Sequence, residues 1–271
     1  MHEKIIKSGP STLGEHLSAI YAYRHLINVF AVREIKNKYA QTFMGLLWAI
    51  FQPFITLIVF AFFFGVLLKV NTSPTPYPVF VFSGLIFWYN FSTIANSSGM
   101  ALIQSQEFIN KIYFPKLILL FSKALSAFTE FVLSFILLFI IMLIYKVPLS
   151  FRILYFPVFI IYNTAIALSI GVWLSSLTIR YRDLQHIIPY LIGFGVFVTP
   201  VFFPATLIPV NYHFLIYLNP LAGVVEGARW SLGCGPFPGL NYLWGLLPVA
   251  LLLTSGLFYF FSVEDNLTDI F

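Results

Sequence analysis

The sequence predicts an all-α, polytopic membrane protein with six transmembrane helices, and three observations carry that expectation. Of the 271 residues, 59% are hydrophobic and only 9% are charged, against about a quarter charged in soluble domains. Six apolar runs come close to the roughly 20 helical residues that a hydrocarbon core of about 30 Å requires. Lys and Arg collect in alternate loops between those runs, which is the asymmetry that orients membrane helices.

The runs are Phe43 to Leu68, Tyr77 to Ser97, Leu117 to Tyr145, Ile153 to Leu177, Ile187 to Ile208 and Leu240 to Phe261. The first is strongly apolar: from Phe54 to Leu68 it holds twelve Leu, Ile, Phe or Val residues. Together these contribute roughly 4 to 7 kcal/mol of insertion free energy at mid-helix. The second carries Asn90, Ser92, Thr93, Asn96, Ser97 and Ser98 in its later half. Hydrocarbon cannot hydrogen-bond such groups, so they are expected to face protein or water.

With the N-terminus inside, the cytoplasmic side receives Lys4, Lys7, Arg24, Arg33, Lys36, Lys38, Lys111, Lys116, Lys123, Arg180 and Arg182. The outer side keeps Lys69, Lys146, Arg152 and Arg229, giving eleven against four. Both termini are then cytoplasmic, and the net charge of +5 reflects loop orientation. The expected organisation is one domain over 1–271: an interfacial segment 1–42, a six-span region 43–262 and a tail 263–271. The first forty residues hold no compact apolar run before a small-residue cleavage site, so the first span is expected to direct insertion itself.

Three regions do not read as plain spans. Residues 11–40 open with Thr12-Leu13-Gly14-Glu15, a capping box. Leu17, Ile20, Ile27 and Ala31 then recur at helical spacing, interrupted by Arg24, which suits an amphipathic helix on the inner membrane surface. Residues 99–116 alternate Gln104, Glu107 and Lys111 with Leu102, Phe108 and Ile112. A short helix there can present an apolar face to a partner. Residues 199–238 hold six of the sixteen prolines, so short re-entrant helices sheltered by protein are expected.

No Gly-x-x-x-x-Gly-Lys-Ser/Thr phosphate loop occurs, so the chain is not expected to be an enzyme that hydrolyses ATP by that route. The five histidines have no metal-ligand spacing, and Cys234 is alone; no metal or other cofactor is expected. Glu130 lies inside the third run, seven residues after Lys123. A proton relay is one reading. The plainer one has Lys123 snorkelling to the surface while Glu130 bonds a neighbouring helix. Glu226 and Arg229 face each other if helical, as a structural ion pair. Tyr190, Phe194 and Phe197, with Trp48, Phe51 and Phe62, form aromatic stripes on the fifth and first spans. Such stripes serve helix packing or lipid contact, or line a binding surface.

The runs Arg33-Glu34-Ile35-Lys36-Asn37-Lys38-Tyr39, Gly45-Leu46-Leu47-Trp48-Ala49-Ile50-Phe51-Gln52-Pro53 and Phe62-Phe63-Phe64-Gly65 look like the first-span signature of a known family. So do Arg182-Asp183-Leu184 leading to Thr199-Pro200-Val201-Phe202-Phe203-Pro204, and Asn219-Pro220-Leu221 leading to Glu226-Gly227-Ala228-Arg229. In order and spacing the chain resembles the transmembrane subunits of type 2 ABC exporters of lipid-linked polysaccharides such as O-antigen, capsule or teichoic acid. That resemblance implies a homodimer with two ATP-binding subunits that hold the ATP and Mg²⁺. It implies a channel between the two copies, bordered by Trp48, Phe51, Phe62, Tyr190, Phe194 and Phe197. It also implies coupling to the ATP-binding subunit through Gln104, Glu107, Phe108, Lys111 and Ile112, an N-terminal interface helix, and two re-entrant helices before the sixth span. Alternatives are an exporter of drugs or lipids on the same scaffold and a membrane-embedded transferase. The transferase would normally show clustered acids or histidines at a membrane face.

Overall fold

The structure, a computed structural model, describes residues 13–40 and 42–264. Thr12 of the capping box and the acidic tail beyond Glu264 lie outside the described residues. Helices α1 (Leu13–Ala22) and α2 (His25–Tyr39) are separated by a turn at Tyr23 and Arg24. The apolar stripe packs against the bundle, with Ala31 buried and Ile20 and Ile27 half-buried there; the Leu17 side chain is outside the description.

The first span is three conformations in series: a 3₁₀ turn at Gly45–Leu47, α3 (Trp48–Phe60) and a π-helical stretch Ala61–Leu67. In the last, the Leu68 N–H reaches back to Phe63 O at 2.9 Å. Lys69 then adopts φ +49°, and the Val70 N–H bonds Phe64 O at 2.9 Å. Lys146 ends the third span in the same left-handed way, with φ +54°. The Val147 N–H then bonds Met142 O at 3.0 Å, a 6→1 closure that satisfies an otherwise orphaned carbonyl.

The centre of the bundle is α4 (Tyr77–Gly99), buried over most of its length by α7 (Leu117–Ile144) and α8 (Phe156–Arg180). Two four-residue helices, α5 (Ala101–Gln104) and α6 (Gln106–Ile109), join α4 to α7. Small residues let α4 and α8 approach closely. A Cβ on Gly171 would stand 2.6 Å from the Ser98 Cβ, so no larger residue fits there without a backbone shift. The amides of Asn90 and Asn163 bond across the same interface at 2.9 Å. Tyr89 and Thr56 join α4 to α3 through their hydroxyls at 2.6 Å. Of the polar half of the second span, Asn90 and Ser98 are therefore buried against protein.

Five helical segments are long and apolar enough to cross a membrane: Gly45–Leu67, Tyr77–Gly99, Leu117–Ile144, Phe151–Arg180 and Leu240–Glu264. The expected fifth span, Ile187 to Ile208, is corrected. Its helix α9 begins at Leu184 and stops at Val198, about 22 Å at 1.5 Å per residue. Thr199 is extended, and Pro200 has no N–H with which to continue the ladder.

After two 3₁₀ turns come α10 (His213–Leu218) and α11 (Pro220–Ser231). Asn219 separates them, its Oδ1 accepting from the Leu221 N–H at 3.1 Å. The proline-rich region thus folds as two short helices, the second packed on α4 and α8. The sixth span starts with a 3₁₀ turn, Leu240–Gly245, and continues as α12 (Leu246–Glu264).

Candidate functional site

Helix α2 runs alongside α7 in the same direction, and two ion pairs of opposite polarity join them. Glu34 Oε2 bonds Lys123 Nζ at 2.7 Å, and Lys38 Nζ bonds Glu130 Oε1 at 2.6 Å. Lys123 therefore does not snorkel to the surface. Its side chain is 6% exposed, because α2 covers the polar face of α7 and offers a carboxylate nearer than water. Glu130 does bond a neighbouring helix, as the plainer reading has it, and that neighbour is α2. Burial and the nearby Glu130 carboxylate push the Tyr39 hydroxyl pKa up. Since Glu130 is the fourteenth residue of α7, the end of α2 meets that helix about 20 Å from its start.

Lys123 also donates to Gln104 Oε1 at 3.0 Å, so one buried ammonium ties together α2, α5 and α7. Phe108 sits beside this junction. The Arg33 guanidinium lies 3.9 Å from its ring centre, and the Phe30 ring meets it edge-on at 6.1 Å. The short helix expected within residues 99–116 is two: α5, a break at Ser105, and α6. Phe108 is half-buried and Leu102 fully buried, so both are anchors of the loop. Its outward surface is Glu107, Lys111, Ile112 and Tyr113. Glu107 and Lys111 form no ion pair, since Lys111 lies beyond the helical turn.

Lys116 closes the same end of the bundle. Its backbone N–H bonds Glu264 Oε1 at 2.9 Å and its ammonium bonds Phe114 O at 2.9 Å. Burial lowers the ammonium's pKa, and Glu264 partly offsets this. Sequence reasoning missed this tie because the two residues are 148 positions apart.

Between α3, α4 and α7 lies a cavity of about 460 Å³ whose wall includes Gln52, Asn90, Thr93, Asn96, Ser97 and Glu130. Asn96 Oδ1 is buried with no hydrogen-bond partner among the described residues. The polar later half of the second span therefore borders a half-open cavity at the α2 end of the bundle.

The aromatic stripes are exposed: Trp48 45%, Phe51 38% and Phe62 52% on the first span, and Tyr190 73%, Phe194 67% and Phe197 58% on α9. Trp48 meets Phe51 edge-on at 5.4 Å, and Phe62 meets Phe63 at 5.6 Å. Phe202, a buried ring that sequence reasoning did not single out, ties the first span to α9 through rings on the inward side of that span. It stacks on Phe60 at 3.7 Å and contacts Phe64 and Phe197 at 6.0 Å.

Glu226 and Arg229 form the ion pair expected of them, at 3.0 Å. Arg229 is fully buried. It also donates to Pro200 O, Val201 O and Phe80 O at 2.7, 2.6 and 3.2 Å, and its guanidinium lies 3.6 Å from the Phe80 ring centre. The pair thereby pins α11 to α4 and to the break after α9. Gly84 makes room for it, because a Cβ there would stand 2.9 Å from Arg229 Nη2. Among the described residues no group of three or more His, Cys, Asp or Glu side chains is placed to hold a metal ion.

Residues 25–232 match the family model described as ABC-2 type transporter. The chain belongs to that family. It is 28% identical over 236 residues to the O-antigen export system permease protein RfbA of Myxococcus xanthus, covering 86% of this chain and 90% of that one. It is 27% identical over 238 residues to the polysialic acid transport protein KpsM of Escherichia coli, covering 86% and 92%. A Klebsiella pneumoniae RfbA is 23% identical over 205 residues, covering 75% and 78%. As an ABC-2 family member with these spans, the chain is a membrane-embedded transport protein of all-α fold.

Proposed function

We propose that the chain is the membrane subunit of an ATP-driven exporter that moves a lipid-linked polysaccharide from the cytoplasmic to the outer leaflet of a bacterial inner membrane. The observation that carries this is likeness over about nine-tenths of their lengths to relatives named for O-antigen export and polysialic acid transport. Two copies form the channel, and a separate ATP-binding subunit supplies ATP and Mg²⁺ to each. Both termini face the cytoplasm, which puts α2, α5 and α6 on the side where that subunit docks.

In this reading Trp48, Phe51, Phe62, Tyr190, Phe194 and Phe197 border the conduit. Their ring faces are uncovered in the single chain, and rings let saccharide C–H faces slide without a tight, fixed site. Force enters through the loop around Gln104, Glu107, Phe108, Lys111 and Ile112. The loop's link to Lys123 supports this, since a push on Gln104 is shared by α2 and α7.

Deleting the gene and supplying it back tests the proposal. Polymer should leave the cell surface and accumulate inside on deletion, and return on complementation. An ATP-binding subunit should co-purify with the tagged chain in equal amount. Surface polymer unaffected by deletion would end the proposal.

A further inference from the structure

At the end of the bundle opposite α2, beneath the two short helices before the sixth span, is a second polar cavity of about 400 Å³. Asn71, His213, Tyr217, Glu226, Phe237 and Tyr242 line it. Its size is within the range of about 300–1,000 Å³ of ligand pockets, and none of the stripe residues of the first span and α9 lines it.

The chemistry of its walls selects the ligand. Tyr217 and Tyr242 meet edge-on with ring centres 5.1 Å apart, and His213 meets Tyr217 edge-on at 6.0 Å. His213 Nε2 is held by Ile208 O at 2.8 Å, and Phe237 stands against Trp230 at 5.3 Å. The result is a fixed set of ring faces and edges. Among the described residues neither the Tyr217 nor the Tyr242 hydroxyl has a hydrogen-bond partner. The Asn71 side chain accepts from the Ser73 N–H at 3.0 Å and keeps its amide donors. Glu226 gives one oxygen to Arg229 and keeps the other.

Charge excludes the commoner alternatives. Arg229 is fully buried and four of its five N–H donors are committed to Glu226 and three carbonyls, so it has no pair of donors left to hold a phosphate in a fork. The Glu226 carboxylate is already neutralised by that pair, so an ammonium gains little from it. Uncharged donors and acceptors among aromatic rings suit a ligand that presents both hydroxyls and C–H faces.

We propose that this cavity is a binding site for one or two uncharged sugar units, held through Tyr217, Tyr242, Asn71 and the free Glu226 oxygen and stacked on Phe237. It rests on the export reading, which supplies the sugar as cargo and the outward direction of its passage. The site receives the leading saccharide units as they leave the conduit, at the face where the polymer emerges.

The test is photo-cross-linking in intact cells that depend on this chain, their polymer labelled by feeding radiolabelled glucose. p-Benzoylphenylalanine is placed at Phe237 in the cavity rim and, separately, at Phe194 on α9. Labelled carbohydrate captured at both positions supports the site. Tyr242→Phe should then lower capture at 237 by about fivefold, the worth of one hydrogen bond, and leave capture at 194 unchanged. Capture at 194 without capture at 237 overturns the site and leaves the export reading standing. Phospholipid in place of carbohydrate at 237 overturns it in favour of a headgroup, and unchanged capture in Tyr242→Phe overturns the recognition chemistry. The deletion experiment bears on the export reading separately.

Discussion

Lys123, 6% exposed, and Glu34, 33% exposed, bond at 2.7 Å across α7 and α2, so the two partners differ in what their loss leaves behind. Removing Glu34 leaves an ammonium buried with only the Gln104 amide, whereas removing Lys123 leaves a carboxylate that water can reach. Breaking a buried pair from the exposed side costs about 3–5 kcal/mol, and losing a partner of a solvated charge costs about 1 kcal/mol or less.

Glu34→Ala is therefore expected to destabilise the protein several-fold more than Lys123→Met. Hydrogen exchange of the detergent-purified chain reads it. Glu34→Ala should speed exchange in 25–39 and 101–112 together, with α8 unaffected. Equal effects from the two variants would mean that the pair is not the fastening between α2 and α7.

Glu130 separates strap from relay. Its bond to Lys38 predicts that Glu130→Gln loosens the end of α2 while polymer export continues at reduced rate, since Gln can still accept from the lysine. A relay predicts complete loss of export at every pH from 6 to 8. Surface polymer measured across that range distinguishes them.

The charge asymmetry of the loops predicts sidedness. In a Cys234→Ser background, cysteines at positions 36, 111 and 182 should react only from the cytoplasm, and those at 69, 146 and 211 only from outside. Cys234 itself is buried, so its replacement should cost little. Outside labelling at 111 would end the topology.

The exposed rings on α3 and α9 predict a transport defect without a folding defect. Replacing Phe51, Tyr190, Phe194 and Phe197 together by Ala should lower polymer export about tenfold or more. Insertion and complex assembly should be unaffected, since each ring is 38% exposed or more. Unchanged export would return the rings to lipid contact.

The loop residues divide into anchors and outward groups. Phe108→Asp should loosen the loop itself, because that ring packs against Arg33 and Phe30. Ile112→Asp, at an exposed position, should leave the isolated chain as stable as before and weaken capture of the ATP-binding subunit about tenfold. Normal capture by the Ile112 variant would shift docking to the outer face of α2.

Composition, run lengths and loop charge were enough to predict a helical membrane protein, because the bilayer demands apolar helices of a certain length whatever surrounds them. The polar half of the second span could be assigned inward for the same reason, as hydrocarbon offers Asn90 or Asn96 nothing. The prolines after Thr199 likewise announced short helices, since each removes a backbone donor. The Glu226 and Arg229 pair was legible from its spacing on one helix turn.

Tertiary structure alone decided what depends on residues far apart in sequence. Lys123 could as well have reached for water, and only the docking of α2 along α7 gives it Glu34 and Gln104. Phe108 and Ile112 share an apolar pattern, yet packing buries one against Arg33 and exposes the other. Phe202 ties α9 to the first span only because the chain breaks at Pro200 and turns that ring back onto Phe60. The second cavity exists because Arg229, reaching carbonyls of Phe80, Pro200 and Val201, holds Glu226 among rings from three separate segments. Local pattern specifies which face of a helix is apolar; which partner covers that face is settled by long-range packing.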